Sequence, residues 1–338
     1  MAVTAKELAK ELQLSEAAIS MALNNKSGVS TATRKKVIDY AKERGYDFSR
    51  IQEANHAPLP FYGTIYFIIF RRHGAIVTDS PFFSQLSQGI DYGCKKARYY
   101  LNVFYLYENS NIKKELDEII QMGCKGIILL GTEMKREDFW HFEKLNVPVV
   151  LLDAYFETVN ADCVLINNVQ GAYLAANHLI SRCKCQPGYL KSSYPINNFL
   201  ERSDGFYKAV RANGMSTSKS IVHYLAPYME GSYADMLELL ENKEETAACY
   251  FADNDLIAAG AMKAFKEKGY RIPEDVAFIG FDNMPLSTYI DPTLTTIHVP
   301  KQYMGELAAK RMAELLQNPN SLAIKIEITT DLVIRGSA

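Results

Sequence analysis

Charged side chains stand where the apolar runs of this chain stop. Arg71 and Arg72 follow TIYFIIF, Asp153 closes VPVVLLD, Asp255 comes two residues after ACYFAD, and Asp282 closes VAFIGFD. Guanidinium forks and carboxylates make strong, directional hydrogen bonds, which suits them to hold a polar small molecule. They are not arranged for catalysis. The six histidines are dispersed, no carboxylates pair for acid and base work, and neither a G-x-S-x-G elbow nor H-E-x-x-H occurs. No strand is followed by G-x-G-x-x-G and there is no G-x-x-x-x-G-K-[ST], so a nucleotide cofactor would lack its phosphate loop. The chain reads as a non-enzyme that needs no cofactor.

The cysteines give no metal centre either. Cys94, Cys124, Cys163, Cys183, Cys185 and Cys249 are scattered through 338 residues, which suits reduced thiols better than a disulfide frame. Cys183 and Cys185 form a C-x-C with no second ligand pair nearby, too little for zinc. No apolar run approaches the roughly 18 residues that span a bilayer. The start, MAVTAKELAKEL, lacks the apolar core of a secretory signal, so a cytoplasmic protein without a membrane partner is expected. Net charge is −2, but it is uneven: residues 1–50 carry nine Lys/Arg against six Asp/Glu, leaving 28 against 33 for the rest. A small basic head on a mildly acidic body has the sign expected of a nucleic-acid reader.

Such residues need elements to position them. In the head, Thr4 can cap AKELAKELQ, with Glu7 completing a capping box; Ser15 can cap EAAISMALNN; Ser30 or Thr31 can begin the third helix, which Gly45 ends. Leu8, Leu12 and Leu14, then Ala18, Ile19, Ala22 and Leu23, then Val37, Ile38 and Ala41 supply one inward surface. Three short helices with a tight break between the first two describe a helix-turn-helix unit. A polar linker with Pro58 and Pro60 follows.

Beyond the linker, apolar runs of four to eight residues alternate with amphipathic helices. TIYFIIF, YLNVFYLY, GIILLG and VPVVLLD form one series; DCVLIN, PGYLKSS, SIVHYL, ACYFAD and VAFIGFD form a second. The fold expected is an all-α helix-turn-helix head plus an α/β body of two doubly wound parallel-sheet lobes, with ligand held at the strands' carboxyl ends. The divisions are residues 1–48 for the head, 49–61 for the linker and 62–338 for the body. Lobe 1 takes about 62–157 and 291–323, and lobe 2 about 158–290 and 324–338.

The string VTAKELAKELQLSEAAISMALNNKSGVSTATRKKVIDYAKERGY, residues 3–46, resembles the DNA-binding domain of LacI/GalR-type transcriptional repressors. The body is similar to the family's effector domain, of periplasmic binding protein type I-like architecture, through SPFF, VPVVLLD, GAYLAANHLI, ERSDGF, ADNDLIAAGAMKAFKEKGYRIPEDVAFIGFDN and PTLTTI in the family's order. The resemblance implies that the second helix enters the major groove, presenting Ser15, Glu16, Ala17, Ser20, Met21 and Asn24. Ser15, Ser20, Asn24, Ser30 and Thr33, with Thr4 in the same contact set, would serve phosphates; Glu16 and Ala17 would read base edges. Two departures stand out. Met21 occupies a place where relatives commonly carry Arg, and the linker lacks the Ala-x-x-Leu element of the family's hinge helix. Leu59 sits between two prolines, so a weaker or different minor-groove contact is expected.

For the cleft, the resemblance implies that Arg202 of ERSDGF, Asp153 and Asp255 hold ligand hydroxyls, that Phe82 or Phe83 after Ser80 stacks on an apolar ring face, and that Tyr228 is a second platform. Asp282 is either a ligand contact or a cap. Arg71, Arg72, His73 and Lys191 could favour an anionic ligand or be a solvated rim. The function implied is a repressor of carbohydrate-utilisation genes, a homodimer on a pseudopalindromic operator, switched by a sugar or sugar derivative. The alternative is the same fold controlled by a partner protein or by a non-sugar ligand such as a nucleobase.

Overall fold

Each helix of the head is begun by a side chain that satisfies an N–H its first turn leaves free. In α1 (Ala5–Leu12), Glu7 N–H donates to Thr4 Oγ1 at 3.3 Å and Glu7 Oε2 accepts from Thr4 N–H at 2.7 Å, the reciprocal box expected. Ser15 accepts from Ala18 N–H to start α2 (Glu16–Leu23), and Ser30 accepts from Thr33 N–H to start α3 (Thr31–Glu43). Leu8, Ile19, Ala22, Val37 and Ala41 are wholly buried where the three helices meet. Ala18 and Ile38, expected inside with them, are only half-buried. Arg44, after α3, ties back to Glu11 of α1 at 2.7 Å.

The computed structural model describes residues 3–24, 26, 28–48, 60–77 and 81–338. It divides into two units, Met1–Phe61 and Tyr62–Ala338. Residues 49–59 of the expected linker, Leu59 among them, lie outside the described residues.

The second unit holds two six-stranded sheets. The first comprises β1 (Thr64–Arg71), β2 (Tyr100–Tyr107), β3 (Cys124–Leu130), β4 (Val149–Leu152) and β5 (Asp162–Ile166), and is completed by β11 (Lys325–Ile328). Its order is β11-β5-β4-β3-β1-β2, all parallel. Its helices are α4 (Pro81–Lys96), α5 (Ile112–Gln121), the short α6 (Arg136–Phe139) and, late in the chain, α11 (Lys301–Gln317). Backbones of α4 and α11 nearly touch: a Cβ on Gly89 would meet Gln302 O at 1.9 Å, and one on Gly305 would meet Leu86 O at 2.3 Å. The second sheet comprises β6 (Gly188–Ser192), β7 (Val222–Leu225), β8 (Cys249–Ala252), β9 (Ala277–Asp282) and β10 (Thr295–His298), with β12 (Asp331–Val333) antiparallel at its edge. α7 (Asn168–Cys183), α8 (Asn197–Ala212), α9 (Met229–Glu241) and α10 (Asp255–Glu267) cover it.

The lobe boundaries differ from those expected. DCVLIN does not open the second lobe: β5 pairs with β4 and belongs to the first sheet. The PTLTTI strand, β10, belongs to the second sheet rather than to the first lobe, and β11 to the first rather than the second. The chain therefore crosses near residue 167, between β10 and α11, and between β11 and β12. A buried ion pair fixes the first of these assignments. Asp162 of β5 accepts from Arg311 Nε of α11 at 2.6 Å, both side chains 8% exposed, so charge as well as pairing holds β5 against the first lobe. Within MKREDFWHFEKL, residues 134–145, only the four residues of α6 are helical. Asp138 takes the Lys135 N–H and an ion pair from Arg72; Phe139, the last residue of α6, and Phe142, in the turn that follows, enter the core.

Candidate ligand cleft and nucleic-acid interface

The carboxyl ends of the two sheets face one another across a space of about 590 Å³, partly open to solvent. The first lobe supplies Ala75 and Ile76 from the loop after β1, Phe82 and Phe83 from the start of α4, and Thr132 and Asp153 from the ends of β3 and β4. The second supplies Ile196, Asn198, Phe199 and Arg202 around the start of α8, Tyr228 ahead of α9, Asn254 ahead of α10, and Asp282 at the end of β9.

Asp153 is 2% exposed, and its backbone is left-handed, φ 60°. Its Oδ2 accepts from Thr132 Oγ1 at 2.6 Å. Oδ1 is buried and makes no hydrogen bond of ordinary geometry among the described residues, although the Asn198 amide is near enough to favour the charged form. Burial pushes this carboxyl up to about 6, against the pull of Thr132 and Arg202. Arg202 is anchored on three sides: Nε donates to Asn168 Oδ1 at 2.9 Å, Nη1 to the Asp253 carbonyl and Nη2 to Asp282 Oδ1 at 3.2 Å. Asp282 and Asn283 are also left-handed, φ 102° and 50°. Strained backbone clustered at strand ends is a mark of functional loops.

Two further buried carboxyls lie behind the lining. Asp253 accepts from Tyr189 O–H at 2.5 Å and Ser192 N–H at 2.6 Å, and burial pushes it up to about 6. Asp255 is wholly buried, accepting from Met284 N–H at 2.6 Å and from Thr296 Oγ1; burial and the Asp282 charge push it up to about 8. Lys301 reaches the Asp282 carbonyl from α11.

Not every expected residue lines this space. Asp255 faces the β9–β10 side and its neighbour Asn254 takes the cleft position. Both Phe82 and Phe83 border the space, rings 5.0 Å apart, while also packing in the core. Arg71 lies 4.5 Å over the Tyr105 ring of edge strand β2, away from the cleft lining. Lys191 sits between the Tyr189 and Tyr224 rings, 3.3 Å from Ser203 Oγ, also outside the lining. Arg72 is committed to Glu108 and Asp138. Ser80 lies outside the described residues.

Glu133 was not anticipated. Its buried carboxylate accepts backbone N–H groups from Arg72, His73, Gly74, Ile76 and Val77, at 2.9 to 3.3 Å. This cradle fixes the loop that carries Ala75 and Ile76 to the ligand space, and sets His73 4.6 Å from the ring of Tyr194 in the other lobe. Burial would raise this carboxyl, but the N–H groups outweigh it and hold the value below the ordinary one.

In the head, Glu16, Ala17 and Ser20 are exposed along α2. Met21 is half-buried beside Gly28, where a Cβ would stand 2.6 Å from the Met21 sulfur. Asn24 Nδ2 donates to the Ser20 carbonyl at 2.9 Å, and Thr4, Ser15, Ser30 and Thr33 all take part in helix caps. Those hydroxyls therefore sit at helix N-termini, where anions are favoured.

Residues 189–338 match the family described as periplasmic binding protein-like domain. The chain is 28% identical to the HTH-type transcriptional repressor PurR of Mannheimia succiniciproducens, over 99% of this chain and 98% of that one. It is 29% identical to the HTH-type transcriptional regulator GalS of Salmonella typhimurium, over 91% of this chain and 88% of that one. A LacI family regulator from Enterococcus faecium, solved with bound ribose, superposes with a TM-score of 0.70 at 27% identity, covering 81% of this chain and 98% of that one. These relatives are regulators and not enzymes, and no helix among the described residues is long and apolar enough to cross a membrane. With a capped helix-turn-helix head ahead of two parallel-sheet lobes, the chain belongs to the LacI/GalR family of transcriptional regulators.

Proposed function

We propose that this repressor binds a pseudopalindromic operator as a homodimer and that a neutral polyhydroxylated molecule, a sugar or sugar derivative, sets its operator affinity from the cleft between the lobes. The observation that carries the ligand class is the buried Asp153 Oδ1, which borders the cleft beside Arg202 and the Phe82 and Phe83 rings. A carboxylate acceptor, guanidinium donors and an aromatic face together match a ring with adjacent hydroxyls. Charge favours a neutral ligand over an anion. Of the four aspartates here Asp255, at about 8, is neutral at about pH 7, so Asp153, Asp253 and Asp282 face the cations Arg202 and Lys301, while Arg71, Arg72 and Lys191 lie outside the cleft lining. Members of the family bind operators and small-molecule effectors, often as dimers, and the Enterococcus faecium neighbour holds ribose.

In this reading Glu16 and Ala17 read base edges, and Ser15, Ser20, Asn24, Ser30, Thr33 and Thr4 serve phosphates. Ligand acts through its differential affinity for two lobe arrangements, typically 1–3 kcal/mol of coupling. A thermal-shift screen of the full chain against pentoses, hexoses, disaccharides, sugar phosphates and nucleobases tests it. A stabilising neutral sugar, lost in Asp153→Asn, is expected. Stabilisation by sugar phosphates or nucleobases alone overturns the ligand class.

A further inference from the structure

The second lobe gathers three of the chain's six cysteines. Cys183 is the last residue of α7, Cys185 follows the left-handed turn at Lys184 (φ 54°), and Cys249 is the first residue of β8. Cys185 Sγ and Cys249 Sγ are 3.7 Å apart, and Cys183 lies near enough to both for its thiol to be coupled to theirs. Cys249 is wholly buried, whereas Cys183 and Cys185 are half-buried. These thiols lie at the amino ends of β6 and β8, opposite the cleft, so neither the ligand reading nor the DNA reading uses them.

We propose that the cluster is an oxidation site, in which a hydroperoxide converts Cys183 and Cys249 to an intramolecular disulfide. The Cys183 thiolate attacks a peroxide oxygen, the S–O bond forms and the O–O bond breaks. The departing alkoxide takes a proton and leaves as alcohol, or as water when the oxidant is hydrogen peroxide. The sulfur is now a sulfenic acid and the peroxide is reduced. Cys249 sulfur then attacks Cys183 sulfur, its proton goes to the departing hydroxide, and water leaves as the S–S bond forms.

Reactivity is divided among the cysteines as this requires. The Cys249 hydrogen bond and the nearby Arg182 charge bring Cys183 down to about 7, despite its partial burial. Cys94, Cys124 and Cys163 are buried apart from the cluster, and burial pushes them up to about 12, 11 and 11. Low-value, accessible thiols react with peroxide as thiolates, and buried, raised ones do not start the reaction. Cys249 is itself buried and raised, and it enters only because the Cys183 sulfenic acid forms beside it. The three remote thiols are thus internal controls.

The test uses the reduced full-length chain, exposed to hydrogen peroxide, blocked with maleimide and mapped after trypsin, which cuts between Cys183 and Cys185 at Lys184. Two of six thiols should disappear, a Cys183 peptide should be linked to the Cys249 peptide, and dithiothreitol should restore both. Cys183→Ser should slow thiol loss about tenfold, since the thiolate is the attacking species. Cys185→Ser should leave the link intact. Retention of all six thiols, a link that excludes Cys249, or unchanged oxidation in Cys183→Ser overturns the proposal.

Discussion

Arg202 bonds to Asp282 at 3.2 Å while its guanidinium lies 3.7 Å above the Phe281 ring. The arginine is therefore held flat between a strand end and a strained turn, with Nε and Nη1 already spent on Asn168 and Asp253. Only its remaining N–H donors are available to a ligand.

Replacing Arg202 by Met should remove effector binding and lower stability. Breaking one side of a buried pair typically costs about 3–5 kcal/mol, because the other charge is stranded. The double variant Arg202→Met/Asp282→Asn should regain part of that stability but none of the binding. Thermal melts with and without ligand, arranged as a double-mutant cycle, check both halves. Equal stability of the single and double variants would show that Asp282 is not stranded.

The buried carboxyls at and behind the cleft lining give a pH dependence of definite sign. Asp153 and Asp253 lie at about 6 and Asp255 at about 8, all above the ordinary aspartate value. In the unfolded chain these groups ionise first, so the stability they contribute is full below pH about 4 and is lost as pH rises through about 6 and then about 8. The ligand-free body should melt lower at pH about 8 than at pH about 6. Asp255→Asn should flatten the upper part of that slope, since its amide can still accept from Met284 N–H while the Thr296 hydroxyl turns to accept from the amide. A melting temperature that climbs steadily from pH about 6 to about 8 would contradict this.

Much of this arrangement is legible in the residues. Alternating apolar runs and helices gave two sheets, and strand ends gave Asp153 and Asp282. Cap residues Thr4, Ser15 and Ser30 located all three head helices because a side-chain acceptor at each start leaves a short-range signature. What failed needed long-range information. The place of β5 depends on Arg311, 149 residues away in sequence, and a fully buried strand looks alike in either sheet. Asp255 rather than Asn254 was expected in the cleft because neighbouring positions at a helix start differ only in direction. Glu133 had no local signal: its five donors come from a loop about 60 residues earlier.

Glu133→Gln should loosen that loop. A carboxamide keeps one acceptor oxygen where the carboxylate has two, and it places an N–H₂ against the loop amides. Hydrogen bonds to a charged acceptor contribute about 1.5–3 kcal/mol each before cooperative losses, so a net destabilisation of about 2–4 kcal/mol is expected. Hydrogen exchange at residues 72–77 should accelerate, and effector affinity should fall because Ala75 and Ile76 lose their support. Unchanged exchange in the loop would remove Glu133 from any positioning role.

Met21 gives the clearest prediction for the head. Its side chain is half-buried beside Gly28, whose φ of 116° admits glycine far better than any other residue. A thioether there makes apolar contact and cannot present the paired donors that grip guanine O6 and N7. If α2 lies in the major groove as proposed, the operator selected by the full chain should lack a strongly preferred guanine at the base pair facing position 21. Met21→Arg should introduce one, with discrimination of about 1–3 kcal/mol. Binding-site selection from a random library with both proteins measures this directly, and identical consensus sequences would show that position 21 does not touch a base.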